Sequence, residues 1–413
     1  MLTLSRRNGT GGEAKKMPED FVVREITSSG IILREDHACS PADTGETEAA
    51  AGNFTHFVLQ KKNWDTVHAL VTIAKRMGRG KKSIGYAGSK DKVSISVQLA
   101  SIYGVTPQQV LQTRLKDISI NGAWRSAAAV DLGSNLGNSF SAVIRGCVAP
   151  ERIEGIVDEL GGFMPNYFDR QRFGMRMNNA DIGECIMRGE FEGAVMMFLT
   201  DTSNETNAVS VEAREKLMSE MDFSKAREYF PRSLNNERMV IEYLSRYGGN
   251  YANALRKIPR GLLMMFIHSV QSRLFNDVLE ERIRDGNLDS DRGCGKNFYG
   301  FPDISSVSAG KGFDFAVANL IGYETKPEHL DEYEKKAMER AGLSTQDMRI
   351  KQMPELSVKG SCRTLLAPVK DPSYSIEESS ELKVCFSIPS GSYATIFLGE
   401  ITKSKPVMAS SKA

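Results

Sequence analysis

Apolar residues along the first 150 positions recur in short runs bounded by turn formers. "DFVVREI" (20–26), "GIILRED" (30–36) and "HFVLQKK" (56–62) are rich in β-branched and aromatic side chains, and each predicts a strand. Between the last two, "SPADTGETEAAAG" (40–52) is polar and small-residue-rich, which predicts a mobile loop. The period then changes. Val67, Leu70, Val71 and Ala74 fall at i, i+3, i+4 and i+7, predicting a helix over 64–77 with Asn63 as its cap and Gly78 at C′. "SIGYA" predicts a strand, Gly88 a turn, and Val93, Ile95, Val97 and Leu99 alternate as one face of the next strand. "NSFSAVIRG" (138–146) predicts another strand, followed by a helix near 150–160.

From about 178 to 350 the texture is helical. Leu263, Phe266, Ile267, Val270 and Leu274 line one face of a helix over 259–285, opened by Pro259 and stopped by Gly286. "DEYEKKAMERAG" (331–342) predicts a more solvated helix. Strands return after about 355 in "CRTLLAPV" (362–369) and "ELKVCFSI" (381–388), and "KSKPVMASSKA" predicts a disordered tail. The pattern is that of an α+β chain in which residues 1–177 and 356–403 complete one sheet domain. A helical insertion at 178–355 interrupts it, and 404–413 form the tail. No repeat at solenoid periods is present.

Composition narrows the function classes. An apolar share of 41% and a charged share of 25% are those of an ordinary globular protein. No apolar run approaches a membrane span, and "MLTLSRRNGTGGEAKK" lacks a signal-peptide core, so the expectation is a cytoplasmic protein with no membrane partner. Cys39, Cys147, Cys185, Cys294, Cys362 and Cys385 are scattered without a C-x-x-C pair, and the five histidines do not cluster. Neither a disulfide framework nor a metal site is expected. The net charge is only +1, yet between Lys61 and Lys92 nine basic residues stand against Asp65 and Asp91. Such a window fits either a phosphate-binding surface or a solvated lysine-rich face.

Three stretches carry candidate chemistry. In Lys90-Asp91-Lys92, a carboxylate sits between a glycine-marked turn and a strand, where a rigid support and flanking cations suit a nucleophile or general base. A solvated bend is the alternative. "NYFDRQRFG" (166–174) packs Asn166, Tyr167, Phe168, Arg170, Gln171, Arg172 and Phe173 ahead of Gly174. Aromatics can stack on an extruded base, an amide can read its edge and arginines can hold phosphates, although a packed loop has the same composition. In "FSIPSGSYATIFLGE" (386–400), Pro389 and Gly391 mark a turn that places Tyr393 where it can reach a pocket, and "YATIFLGE" fits strand or helix.

Taken together, the three stretches resemble the TruD family of tRNA pseudouridine synthases. Gly88-Ser89-Lys90-Asp91-Lys92 with Gln98, "NYFDRQRFG", and Pro389 to Thr395 correspond to its motifs in the family's order. "EDFVVREI", "KKNWDT", "LGNSF" and "LFNDVLEERI" extend the match over almost the whole chain. Ser96, Tyr393 and Gly399 depart from the residues common in the family. The resemblance implies a pseudouridine-synthase fold with a mixed, mainly antiparallel sheet and a helical family-specific insertion. It implies that Asp91 is the catalytic aspartate and that uridine 13 of tRNA is isomerised without a cofactor. On that reading Phe168 and Tyr393 wall the uracil, Asn166 orients Asp91 or the base, and Lys90 steadies the carboxylate or a phosphate. Lys61, Lys62, Arg79, Lys81, Lys82, Lys92, Arg170 and Arg172 bind RNA, tRNA is the partner, and no obligate protein partner is evident. A metal-dependent nuclease and a non-catalytic RNA-binding protein on the same scaffold are the rival readings.

Overall fold

The computed structural model describes residues 1–377 and 381–404; of the expected tail, residues 405–413 lie outside the described residues. By its internal contacts the chain divides into two units. Thr3–Asn166, Lys296–Asp303 and Leu366–Ala413 form a sheet unit, and Met1–Leu2, Tyr167–Gly295 and Ile304–Leu365 form a helical unit.

The sheet unit begins with β1 (Gly11–Ala14), β2 (Phe21–Ile26), β3 (Phe54–Lys62), β4 (Ile84–Tyr86), β5 (Ile95–Tyr103), β6 (Ile118–Ser126), β7 (Gly137–Cys147) and β8 (Phe163–Pro165). Among them lie α1 (Thr66–Arg76), α2 (Pro107–Leu111) and α3 (Ile153–Leu160). In chain order the helical unit then contributes α4 (Asn179–Arg188), α5 (Phe191–Thr200), α6 (Ala208–Glu220), α7 (Phe223–Tyr229), α8 (Asn235–Tyr247), α9 (Tyr251–Leu255) and α10 (Arg260–Asp285). It also holds β9 (Arg292–Cys294), β10 (Ser308–Ala309), β11 (Phe315–Leu320), α11 (Glu332–Ala341) and β12 (Ser361–Thr364). The sheet unit is completed by β13 (Leu366–Pro368), β14 (Lys370–Ile376), β15 (Leu382–Pro389) and α12 (Ala394–Thr402).

Nine strands form one sheet in the order β14-β15-β7-β2-β5-β3-β6, with β1 on β7 and β4 on β5. Only β2 and β5 run parallel, so the sheet is mixed and mainly antiparallel, as expected. Its halves are covered differently. Ala69, Leu70, Ile73 and Ala74 of α1 pack on Phe57 and Leu59 of β3 and on Ala100 and Ile102 of β5. Ile153, Ile156 and Leu160 of α3 join Phe397, Leu398 and Ile401 of α12 over Phe21, Phe140 and Phe386. The ambiguous "YATIFLGE" is therefore helix from Ala394 onward.

Local details differ from the sequence expectation for identifiable reasons. Asp65 rather than Asn63 caps α1, its Oδ1 accepting the His68 amide at 2.8 Å, while Asn63 takes a left-handed φ of 58°. Val67 and Val71 are only half-buried, because the face that meets the sheet is rotated toward Ala69 and Ile73. Residues 30–36 make no strand: Gly30 and Asp36 are left-handed (φ 83° and 52°), and only Ile32 bridges Ile26. The 40–52 loop is tied down rather than loose. The Cys39 amide donates to Asn121 O, the Ala49 amide donates to Arg125 O, and Glu46 accepts the Trp124 indole N–H at 2.8 Å.

In the helical unit, α4 crosses α10 at Gly183, where an added Cβ would lie 2.3 Å from the Phe266 carbonyl oxygen, so only glycine permits the approach. This unit also contains a four-stranded sheet, β10-β9-β11-β12; β12 falls in the expected "CRTLLAPV" strand, whereas β9, β10 and β11 lie in the stretch read as helical. No helix of the described residues is long and apolar enough to cross a membrane.

Candidate active site

Asp91 lies just ahead of β5, and several neighbouring main-chain groups are held by side chains of the sheet unit. The Gly88 carbonyl accepts Gln98 Nε2 at 3.1 Å, and the Lys90 amide donates to Thr66 Oγ1 at 3.0 Å. Thr66 donates in turn to Gln98 Oε1 at 3.0 Å. The Asp91 carbonyl accepts Ser94 Oγ at 2.7 Å and Lys61 Nζ at 2.9 Å. β3, α1 and β5 thus hold one short loop, the pre-organised support that a reacting carboxylate requires. The Asp91 side chain stays 28% exposed, and Lys15 Nζ approaches its Oδ1 at 3.3 Å. Lys15 also sits 3.8 Å above the Phe21 ring, so its ammonium bridges an aromatic face and the carboxylate.

The two flanking positions have separate destinations. Lys92 is exposed, whereas Lys90 is buried and its Nζ pairs with Glu25 Oε2 at 2.6 Å. Glu25 Oε1 meanwhile accepts the Leu99 amide at 3.0 Å. The expectation that Lys90 steadies Asp91 or a phosphate is therefore corrected: its charge is neutralised inside the sheet, and it locks the loop to β2. Gly88 is not left-handed, and an added Cβ would meet nothing nearer than Lys90 Nζ at 3.8 Å and Asn135 Oδ1 at 3.9 Å. The turn itself does not require glycine, and room is left beside Lys90 and Asn135.

Asn135 is tied to the C-terminal motif. It accepts from Ser390 Oγ at 3.3 Å and donates to the Gly137 carbonyl at 3.0 Å. Two residues on, Ser392 Oγ donates to Asn166 Oδ1 at 2.9 Å, and Asn166 is buried. Asn135 and Asn166 are thereby each tied to the 389–393 segment within the sheet unit. Tyr393, half-buried, stands at the start of α12.

Phe168, Arg170 and Arg172 belong to the helical unit. Asn276 of α10 clamps the Phe168 peptide, its Oδ1 accepting the amide at 2.8 Å and its Nδ2 donating to the carbonyl at 2.9 Å. The buried Phe168 ring meets Phe275 edge-on at 5.7 Å and carries the Arg363 guanidinium at 4.1 Å. Arg170 and Arg172 are half-buried in a short turn, and the Arg172 carbonyl accepts Ser269 Oγ at 2.7 Å.

The lysines expected to bind RNA split in two. Lys61 is fully buried, so it offers no surface to a phosphate, which corrects that assignment. Burial drives its ammonium down to about 8; the charges of Asp91 and Asp65 oppose that fall, and Lys90 adds to it. Lys62 is paired with Glu19 at the surface. Arg79, Lys81 and Lys82 are exposed beyond the end of α1, with Arg79 donating to the Gly104 carbonyl. Lys15, Glu25, Thr66, Asn135 and Ser392 had not been singled out. For Glu25 the signal was present, since it follows Phe21 and Val23 on the buried side of β2. Among the described residues, no three His, Cys, Asp or Glu side chains gather as a metal site.

Known proteins resemble this chain over nearly its whole length. A family model described as tRNA pseudouridine synthase D (TruD) matches residues 2–401. A relative from Methanosarcina mazei, named "Probable tRNA pseudouridine synthase D", is 30% identical, covering 97% of this chain and 95% of its own. A protein of the same name from Thermococcus sibiricus is also 30% identical, with 97% of each chain covered. A crystal structure titled "Putative tRNA pseudouridine synthase D (TruD)" from Methanosarcina mazei superposes with a TM-score of 0.75 at 28% identity, over 98% of this chain and 97% of that one. The chain belongs to the TruD family of tRNA pseudouridine synthases, which are isomerases.

Proposed function

We propose that this protein isomerises uridine 13 of tRNA to pseudouridine, with Asp91 as the catalytic carboxylate. The observation that carries the reading is the partly exposed Asp91 side chain, held on a loop tied down by Lys61, Thr66, Ser94 and Gln98 with Lys15 as its counter-ion, in a chain matched to the family almost end to end. Uridine and pseudouridine have the same composition. The N1–C1′ bond breaks, the uracil turns, C5 bonds to C1′, and the C5 proton is removed as N1 regains one. No electrons are gained or lost overall, so the isomerisation consumes no redox cofactor.

A stacked base is out of reach, so the uridine is extruded at a cost of roughly a few kcal/mol. Asp91 then acts at C1′ as uracil departs, and Lys15 balances its charge. The buried Asn166, fixed by Ser392, is the proposed polar contact for Asp91 or the base. Phe168 and Tyr393 are the proposed aromatic walls, and Arg79, Lys81, Lys82 and Lys92, with Arg170 and Arg172, the proposed phosphate contacts. The sheet unit is the proposed catalytic domain, the helical unit the proposed insertion, and the cytoplasm the proposed compartment.

The decisive experiment incubates wild type and Asp91→Asn with an unmodified tRNA transcript and maps pseudouridine, with and without EDTA. Product at position 13 from wild type alone, insensitive to EDTA, is the expected result. Equal product from both proteins would remove Asp91 from the mechanism. A cleaved tRNA would favour a nuclease, and bound but unmodified tRNA a binding protein.

A further inference from the structure

Lys61 stands out among the buried charges. It is the eighth residue of β3, and strand alternation puts it on the same side as Phe57 and Leu59, the side covered by α1. An ammonium there is fully removed from solvent. Its Nζ donates to the carbonyl of Asp91 at 2.9 Å and reaches that of Lys90 at 3.5 Å. Hydrogen bonding alone does not explain the choice of lysine, because the Asp91 carbonyl already receives Ser94 Oγ at 2.7 Å. What lysine adds is a positive charge, which is costly to bury and is normally retained only where it has a counter-charge. Asp91 is the foremost of the groups favouring that charge, ahead of Asp65 at the start of α1, and Lys90 opposes it. The strands on either side bring Ser96 of β5 and Ile118 of β6 into register with Lys61, and neither side chain is ionisable.

We propose that Lys61 is a positioning residue for Asp91: its buried ammonium grips the Asp91 main chain and supplies a fixed positive charge next to the catalytic carboxylate. This inference rests on the reading of Asp91 given above. It reassigns Lys61 from the RNA surface to the catalytic support. Since burial brings the Lys61 ammonium down to about 8, its charge is lost as pH rises through that value. Activity then falls on the alkaline side. Stability moves the other way. The folded value lies below the unfolded 10.5, so between about 8 and 10.5 the unfolded chain binds more protons and Lys61 makes stability rise with pH.

The test measures kcat and KM for pseudouridine formation on an unmodified tRNA transcript from pH 6.5 to 9.5 in wild type, Lys61→Met and Lys61→Arg. Each protein's urea midpoint is followed across the same range. Lys61→Met is expected to lower kcat at pH 7 by about 10- to 100-fold with KM nearly unchanged, the loss of a charged hydrogen bond. The alkaline limb near pH 8 disappears in that variant. Lys61→Arg, which stays charged, recovers part of kcat and moves the limb beyond pH 9.5. Equal kcat in wild type and Lys61→Met would overturn the proposal, as would a raised KM with kcat intact, the mark of an RNA contact. Should Lys61→Met not fold, the wild-type profile decides. A kcat flat to pH 9.5 would overturn the proposal, and a fall near pH 8 without a falling urea midpoint would support it. Wild-type protein that makes no pseudouridine at any pH would instead refute the functional reading, and this inference with it.

Discussion

The basic window between Lys61 and Lys92 is uniform in sequence but divides in the fold. Lys61, which opens it, and Lys90, near its close, are buried, one on the Asp91 carbonyl and the other on Glu25, whereas its last residue, Lys92, is exposed. Arg79, Lys81 and Lys82 in its middle are exposed. The same charge density therefore serves two purposes. The two buried lysines hold a loop in place, and the exposed residues form a surface able to meet phosphates. A net charge counted along the chain cannot tell these apart, whereas strand alternation can, since it assigns each position a side of the sheet.

This contrast can be broken experimentally, beginning with the residue at its centre. Asp91→Asn is expected to lower kcat by on the order of 10⁴-fold or more, the scale seen when a reacting group is removed, with tRNA affinity little changed. Glu25→Gln leaves the Lys90 ammonium buried without its partner. A loss of about 3–5 kcal/mol in urea unfolding is expected, largely recovered in the double variant Glu25→Gln/Lys90→Met. If Glu25→Gln unfolds like wild type, the buried part of the window has been misread. Lys15→Met should reduce kcat by roughly 10-fold, because it removes a charge facing the carboxylate, with stability lowered by no more than about 1 kcal/mol for the lost cation–π contact with Phe21. The exposed middle should show the smallest effect per residue. Lys81→Ala and Lys82→Ala are each expected to leave stability within about 0.5 kcal/mol. Each should lower the dependence of log tRNA affinity on log salt by about 0.7–0.9. A salt slope unaltered by both together would show that this surface does not meet the RNA.

Much of the architecture was legible because it depends on period. The α10 helix, the helical middle and the β7 and β15 strands all follow from spacing and punctuation. Asp91 was legible only as part of a motif. Its counter-ion was not, since Lys15 lies 76 positions earlier and reaches it from a left-handed backbone (φ 63°) that no propensity favours for lysine. The failed strand at 30–36 shows the opposite error. Its apolar run fits a strand, but left-handed positions at both ends let it close a turn on β2 instead. Lys61 lay between these cases. It alternates with Phe57 and Leu59, so its burial could be read from β3, while its contact with Asp91 needed the fold.

The pairing of β15 with β7 has a consequence for how the protein is made. All eight residues from Leu382 to Pro389 pair along β7 between Ile144 and Gly137, and Ser390 and Ser392 follow directly. Asp91 and its clamp leave the ribosome early, but the strand completing β7 is synthesised roughly 230 residues after β7 itself, about 10–50 s at typical translation rates. For that interval β7 has one open edge, and Asn135 and Asn166 wait for their serine partners. The nascent chain thus carries a finished Asp91 loop on an unfinished sheet. Ribosome-bound chains stopped before Leu382 should therefore be more readily cleaved by protease around residues 137–144 than chains carried past Ser392.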